Sequence, residues 1–278
     1  MEKYKITTFK ISKIVTKEYS TSFFTASSLF HKEIKKHIFN IYGFVRFADE
    51  IVDTFHEFDK EKLLTKFEND YFEAFQSGIS LNPILHAFQD TVRKFNIPQE
   101  YIQAFLNSMR ADLYKAEYKS NSEIENYIYG SADVVGLMCL KVFCCGNDSL
   151  FEKLKFSALK LGSAFQKVNF LRDLKVDTEN LGRIYFPQLI NNQLNEEIKK
   201  MIILNIEKDF EIAYNGIKNL PNNSKLAVFT AYLYYSGLLR KIKKTNAQKI
   251  VSQRIRISNC SKIFLLVKAY IKYKLNLI

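Results

Sequence analysis

The chain has 278 residues, 47% of them hydrophobic, enough for one sizeable core. Its 41 Lys and Arg against 29 Asp and Glu give a net charge of +12. Cysteines at 139, 144, 145 and 260 contain no CxxC, and histidines at 31, 37, 56 and 86 lack zinc-helix spacing, which excludes a disulfide framework or zinc module.

The N-terminus has no hydrophobic signal core, and no apolar run reaches about 18 residues. A cytoplasmic protein that does not span a membrane is expected. With 9 Gly and 4 Pro, few residues can interrupt the chain. Asn82-Pro83, Ile97-Pro98, Asn121-Ser122 and Pro221-Asn222 read as helix starts, and Ser122 with Glu125 as a capping box. Between them apolar residues recur every three or four positions. An all-α fold with no strands is predicted, as one domain over residues 1–278.

The first informative element is residues 41–55, "IYGFVRFADEIVDTF". On a helical wheel Ile41, Phe44, Val45, Ala48, Val52 and Phe55 form an apolar stripe about 100° wide. Asp49, Tyr42, Asp53 and Arg46 fall within about 60° of one another beside it, with Glu50 further round. The two aspartates therefore point the same way, one turn apart. Two such carboxylates repel unless a cation lies between them, and oxygen ligands of this kind suit Mg²⁺ shared with substrate phosphates. A lone DxxxD is ordinarily a solvent-facing pair.

A second row follows in residues 159–177, "LKLGSAFQKVNFLRDLKVD". Gln166, Asn169, Asp173 and Asp177 share one face, while Ala164, Val168 and Leu171 occupy the opposite one. Two acidic rows on two amphipathic helices predict an interhelical cavity with divalent ions and a diphosphate.

Here the chain resembles the squalene and phytoene synthase family. The matching stretches run in family order: "YSTSFFTASSLF" (19–30), "IYGFVRFADEIVD" (41–53), "YIYGSADVVGLMCLKVF" (127–143), "QKVNFLRDLKVD" (166–177), "GRIYFP" (182–187) and "SQRIRIS" (252–258). "GRIYFP" and the C-terminal region are closer in flavour to bacterial phytoene synthases. The resemblance implies a helical isoprenoid-synthase bundle with a central cavity. It implies head-to-head condensation of two prenyl diphosphates through a cyclopropyl diphosphate. The expected reaction is geranylgeranyl diphosphate to phytoene, in carotenoid biosynthesis. The alternative is squalene or dehydrosqualene from farnesyl diphosphate.

By that resemblance Asp49, Asp53, Asp173 and Asp177 are the catalytic carboxylates, and with Asn169 they hold Mg²⁺, for which Mn²⁺ could substitute. Arg46 and Arg254 would contact diphosphate oxygens. Ser22, Tyr42, Gln166 and Tyr185 match positions lining the substrate site. Tyr235 matches a further diphosphate-contacting tyrosine, with Tyr234 its competitor. Arg172 either joins the substrate set or forms a structural ion pair. Phytoene synthases end by proton loss and squalene synthases by hydride from NADPH, so NADPH is not expected; no Gly-rich dinucleotide fingerprint is present. Two positions depart from the family pattern. Val176 replaces a glutamate but lies off the ligand row. Asp133 replaces a glycine, which would either add a ligand or narrow the cavity.

The competing readings are a class I terpene cyclase, which the NxxxDxxxD row disfavours, and an all-α adaptor acting through its basic tail. Residues 212–278 hold 13 Lys and Arg and no Asp or Glu. Such a stretch suits a polyanion or is a solvated basic face. Nucleic acid is disfavoured because the lysines alternate with "IFLLVKAYIKYKLNLI" and not with a reading motif. Residues 259–276 read as an amphipathic helix that either packs on the core or lies peripherally on the inner face of an anionic membrane.

Overall fold

Chain order and local signals set out thirteen α-helices in a computed structural model that describes all 278 residues. They are α1 (Glu2–Tyr19), α2 (Thr21–Ser27), α3 (Lys32–Asp53), α4 (Lys60–Ser77), α5 (Pro83–Lys94), α6 (Gln99–Ala111) and α7 (Asn121–Ile128). A π-helical turn (Tyr129–Asp133) leads into α8 (Val134–Cys144). There follow α9 (Asp148–Glu179), α10 (Glu196–Lys218), α11 (Lys225–Lys244), α12 (Ala247–Ser252) and α13 (Asn259–Lys274). The fold is all-α; its sole β-type pairing is an isolated bridge between Glu117 and Ile184.

Side-chain caps account for several starts. Asn82 Oδ1 accepts from the backbone N–H groups of Ile84 and Leu85, with Pro83 in the first turn where its missing N–H costs nothing. The expected capping box is displaced by two residues. Ser120, not Ser122, accepts from Glu123 N, and Glu123 Oε2 accepts from Lys119 N. The start read at Pro221-Asn222 falls at Lys225, after a turn in which Pro221 O accepts from Ser224 N and Lys225 N.

Two hydrophobic clusters form the interior. One is built on α3, α5, α6 and α8; the other on α9, α10, α11 and the 185–194 segment. Leu161 of α9 and Tyr232 of α11 pack against both. On that ground we propose that residues 1–278 form one domain. The α9 helix, at 32 residues, runs about 48 Å and packs against α8, α10, α11 and α12. Of the stripe read in 41–55, Ile41, Phe44, Ala48 and Val52 are buried, joined by Ile51. Phe55 is exposed instead, because α3 ends at Asp53 and the chain leaves the helical path.

The stretch Asn121–Cys144 has the length and apolarity of a bilayer span, but 56% of its most apolar 18-residue window is buried within the protein. It is interrupted by the π turn. At Gly130 a Cβ would meet Ser108 Oγ at 1.9 Å and Ala104 O at 2.5 Å, so no side chain fits where the turn crosses α6. On its other side Gly162 of α9 lies against the turn, where a Cβ would approach Ala132 O to 2.9 Å. These close approaches let the extra residue of the π turn bulge beside α9.

Candidate active site

A cavity of about 940 Å³ lies between α2, α3, α8, α9, α10 and α11, and 28 of its 46 lining residues are hydrophobic. That volume is at the upper end for small-molecule sites, so a large apolar ligand fits. One end is polar: Tyr42, Arg46, Gln166, Asn169, Arg172 and Arg254 all line it. Arg254 is 43% exposed, so this end reaches solvent.

The first acidic row lies on the last turns of α3. Arg46 Nη1 donates to Asp49 Oδ2 at 2.6 Å, and Nη2 donates to Glu50 Oε2. The wheel had placed Glu50 away from the seam; the length of the arginine side chain draws it in. Arg46 also lies over the Tyr19 ring at 4.5 Å. Burial, then the neighbouring charge of Asp53, push Asp49 up to about 7.

The second row lies on α9, with Ala164, Val168 and Leu171 buried behind it and Val176 on the exposed side. Asp173 is held from two directions. Arg172 Nε donates to both its oxygens at 3.0 Å, and Arg254 Nε meets Oδ1 at 2.6 Å. Arg172 thus forms an ion pair and also lines the cavity. Asp177 is pushed up to about 7, first by burial and then by the charges of Asp173 and Asp53. The two rows therefore face each other closely enough to repel.

Arg183, within "GRIYFP", joins them. Its Nη1 donates to Asp53 Oδ1 at 2.9 Å, Nη2 donates to Asp112 O at 2.9 Å, and its backbone N–H donates to Asp177 O at 2.7 Å. Asp112 is buried, accepts from Tyr127 Oη at 2.8 Å, and is pushed up to about 7 by burial. Sequence reasoning did not single out Arg183 or Asp112, and no periodic pattern marks either one.

Ser22, Tyr42, Gln166 and Tyr235 line the cavity, as does Tyr234. Tyr235 stacks on Phe165 with ring centroids 3.9 Å apart, and Phe23 stacks on Tyr42 at 4.8 Å. Tyr185 is the exception. It lies outside the cavity lining, 6% exposed and stacked on Phe170 at 4.0 Å behind Arg183. Asp133 is also outside the lining, as are Asp49, Asp53, Asp173 and Asp177, of which Asp49 and Asp173 are tied to the lining residues Arg46, Arg172 and Arg254. Asp133 Oδ1 has no hydrogen-bond partner and faces Gly162, near Lys160 and Lys167.

No three Asp, Glu, His or Cys side chains converge into a closed metal cage. Asn169 Oδ1, buried without a hydrogen-bond partner beside Asp173, adds a free oxygen to the row. The donor set is therefore hard, anionic and incomplete without a cation.

A profile described as squalene/phytoene synthase matches residues 16–261. The chain belongs to the squalene/phytoene synthase family. Members of this family are prenyltransferases. Phytoene synthase 2 of Oryza sativa subsp. japonica is 30% identical over 92% of this chain and 68% of its own length. Phytoene synthase 1 of Solanum lycopersicum is 29% identical over 93% of this chain and 66% of its own. The chain thus spans about two thirds of these plant relatives. Among solved structures, a dehydrosqualene synthase superposes with a TM-score of 0.81 at 21% identity, covering 98% of both chains. A squalene synthase from Alicyclobacillus acidocaldarius gives 0.74 at 21%, covering 85% of this chain and 93% of the other. These likenesses establish the all-α isoprenoid-synthase fold.

Proposed function

We propose that this prenyltransferase-family chain joins two prenyl diphosphates head to head, taking two molecules of geranylgeranyl diphosphate to phytoene without NADPH. The observation that carries this reading is that Arg46, Arg172 and Arg254, which line the polar end of a 940 Å³ apolar cavity, are paired with Asp49 and Asp173 of the two carboxylate rows behind it. The family relationship and the phytoene synthase relatives support the same reading.

Asp49 and Asp53 on one side, and Asn169, Asp173 and Asp177 on the other, would hold Mg²⁺, with Mn²⁺ as a substitute. Held there, such cations would neutralise diphosphate charge and so make it a competent leaving group. Arg46, Arg172 and Arg254 offer planar donors to diphosphate oxygens, exchanging their carboxylate partners for substrate. Tyr42 is pushed up to about 12 by burial, so it stays protonated and serves as a hydrogen-bond donor. When the allylic C–O bond breaks, the positive charge forms on the prenyl chain, beside the Phe23–Tyr42 and Phe165–Tyr235 stacks. Their faces stabilise a cation. The double bond of the second chain attacks that cation, and loss of a proton to the departed diphosphate closes the cyclopropane, the second diphosphate staying on the chain. A second ionisation and loss of a proton complete the hydrocarbon, while the apolar walls exclude water that would trap the cation.

Incubation with Mg²⁺ and either farnesyl or geranylgeranyl diphosphate, with and without NADPH, tests the reading by mass spectrometry of the hydrocarbon. Phytoene formed without reductant is the expected product. Dehydrosqualene, or NADPH-dependent squalene, would overturn the chain length or the terminating step. Absence of diphosphate release would overturn the reaction itself.

A further inference from the structure

The last helix has its faces inverted. Its inner face packs on α11 through Ala269, which is fully buried, and Leu265, whose Cδ1 lies 3.0 Å from where a Cβ on Gly237 would sit. The opposite face carries Ile263, Phe264, Val267, Tyr270 and Ile271, each between 50% and 68% exposed, and the stripe continues into Leu275 at 62%. A surface helix of a globular protein ordinarily turns charged residues outward. A contiguous apolar stripe facing solvent marks an interaction surface.

Its chemistry selects the partner. The α13 helix carries no carboxylate, and there is none in the whole of residues 212–278. Lys268 and Lys274 are exposed beside the stripe, and Lys262 and Lys272 lie half-buried at its margins. Apolar side chains projecting outward between lysines match the interfacial zone of an anionic bilayer, with acyl chains beneath and negative headgroups level with the lysines. A second copy of the chain fits poorly, since a self-complementary contact would bring the same lysines together.

We propose that the outer face of α13 docks on an anionic phospholipid bilayer. The helix begins at the cavity: Asn259 and Lys262 line it, as do Arg254 and Arg256 just before. Docking through α13 therefore sets the polar end of the cavity beside the membrane surface, so that a long hydrocarbon crosses little water between bilayer and cavity. That consequence rests on the proposed reaction; the docking does not.

The test uses the full chain with vesicles of phosphatidylcholine alone and of equimolar phosphatidylcholine and phosphatidylglycerol. Two double variants are compared, Phe264→Ser/Ile271→Ser, which leaves the charge unchanged, and Lys268→Gln/Lys274→Gln. Circular dichroism checks that both remain folded, as expected for exposed positions. The wild type should co-sediment with the anionic vesicles far more than with the neutral ones, and less as salt rises. Each double variant should lower partition by about tenfold or more. Loss of binding only in the lysine variant would reduce the effect to adsorption of a basic protein and overturn the proposal. So would absence of binding to either vesicle. Conversion of a dimer to a monomer by the serine variant, with vesicle binding unchanged, would assign the face to a second copy and overturn it too.

Discussion

Arg183 and Asp53 lie 130 residues apart in sequence, and their side chains meet at 2.9 Å. The guanidinium is 7% exposed and also binds the main chain at Asp112, so it acts as a fixed brace between α3 and the segment that follows α9. It holds one carboxylate of the first row in place and ties to the backbone of the second.

Replacing Arg183 with Ala should leave the half-buried Asp53 carboxylate and the buried Asp112 main-chain carbonyl without their donor, while the Asp112 carboxyl keeps the Tyr127 hydroxyl. Breaking a buried pair from one side costs about 3–5 kcal/mol. Chemical denaturation should register a loss of that order. Arg183→Lys should recover only part of it, because an ammonium cannot reach Asp53 and Asp112 O in the same planar fork. A loss below about 1 kcal/mol for the alanine variant would show that Arg183 is not a brace.

Asp49→Asn and Asp173→Asn should keep the fold, since neither side chain belongs to a hydrophobic cluster. Diphosphate release should fall by about two orders of magnitude or more, because the charge stabilisation a metal supplies is worth several kcal/mol. Near-normal turnover in either variant, measured at saturating Mg²⁺, would remove the carboxylate rows from the mechanism.

Asp133 makes a pH-dependent contribution to stability. Burial raises its carboxyl from 3.8 to about 7, against the pull of Lys160 and Lys167. A group raised in the folded state stabilises fully below its unfolded value, and that contribution is lost as pH rises through the folded one. Asp133→Asn should therefore change little near pH 4 and stabilise relative to wild type at about pH 8. Denaturation midpoints at the two pH values measure this; an equal shift at both would refute the assignment.

Cys139 lines the cavity on α8, among the small residues Ala132, Gly136, Ala158 and Gly216. Cys139→Phe should fill space there and shift preference towards the shorter prenyl diphosphate. The ratio of kcat/KM for geranylgeranyl over farnesyl diphosphate should fall about tenfold or more, as loss of room for a few methylenes implies. An unchanged ratio would place the length-determining wall elsewhere.

Both carboxylate rows were legible in the sequence because helical periodicity is local. Asp49 and Asp53, or Asn169, Asp173 and Asp177, share a face wherever their helix lies, since spacing alone sets direction at 3.6 residues per turn. The buried backs of the same helices, such as Ala164 and Val168, follow from the same rule. Only the tertiary structure decided what each row meets. Arg183 reaches Asp53 through a chain reversal after α9 that no periodic pattern encodes. Tyr185 is stacked behind the site, outside the cavity, because Phe170 claims its ring. Asp133 faces Gly162 of α9 because the π turn packs closely on that helix, where glycine leaves room for it. In α13 the sequence determined an apolar stripe among lysines. Packing through Ala269 and Leu265 decided that the stripe faces outward, because a helix with apolar residues on both sides can bury only the one its neighbour covers.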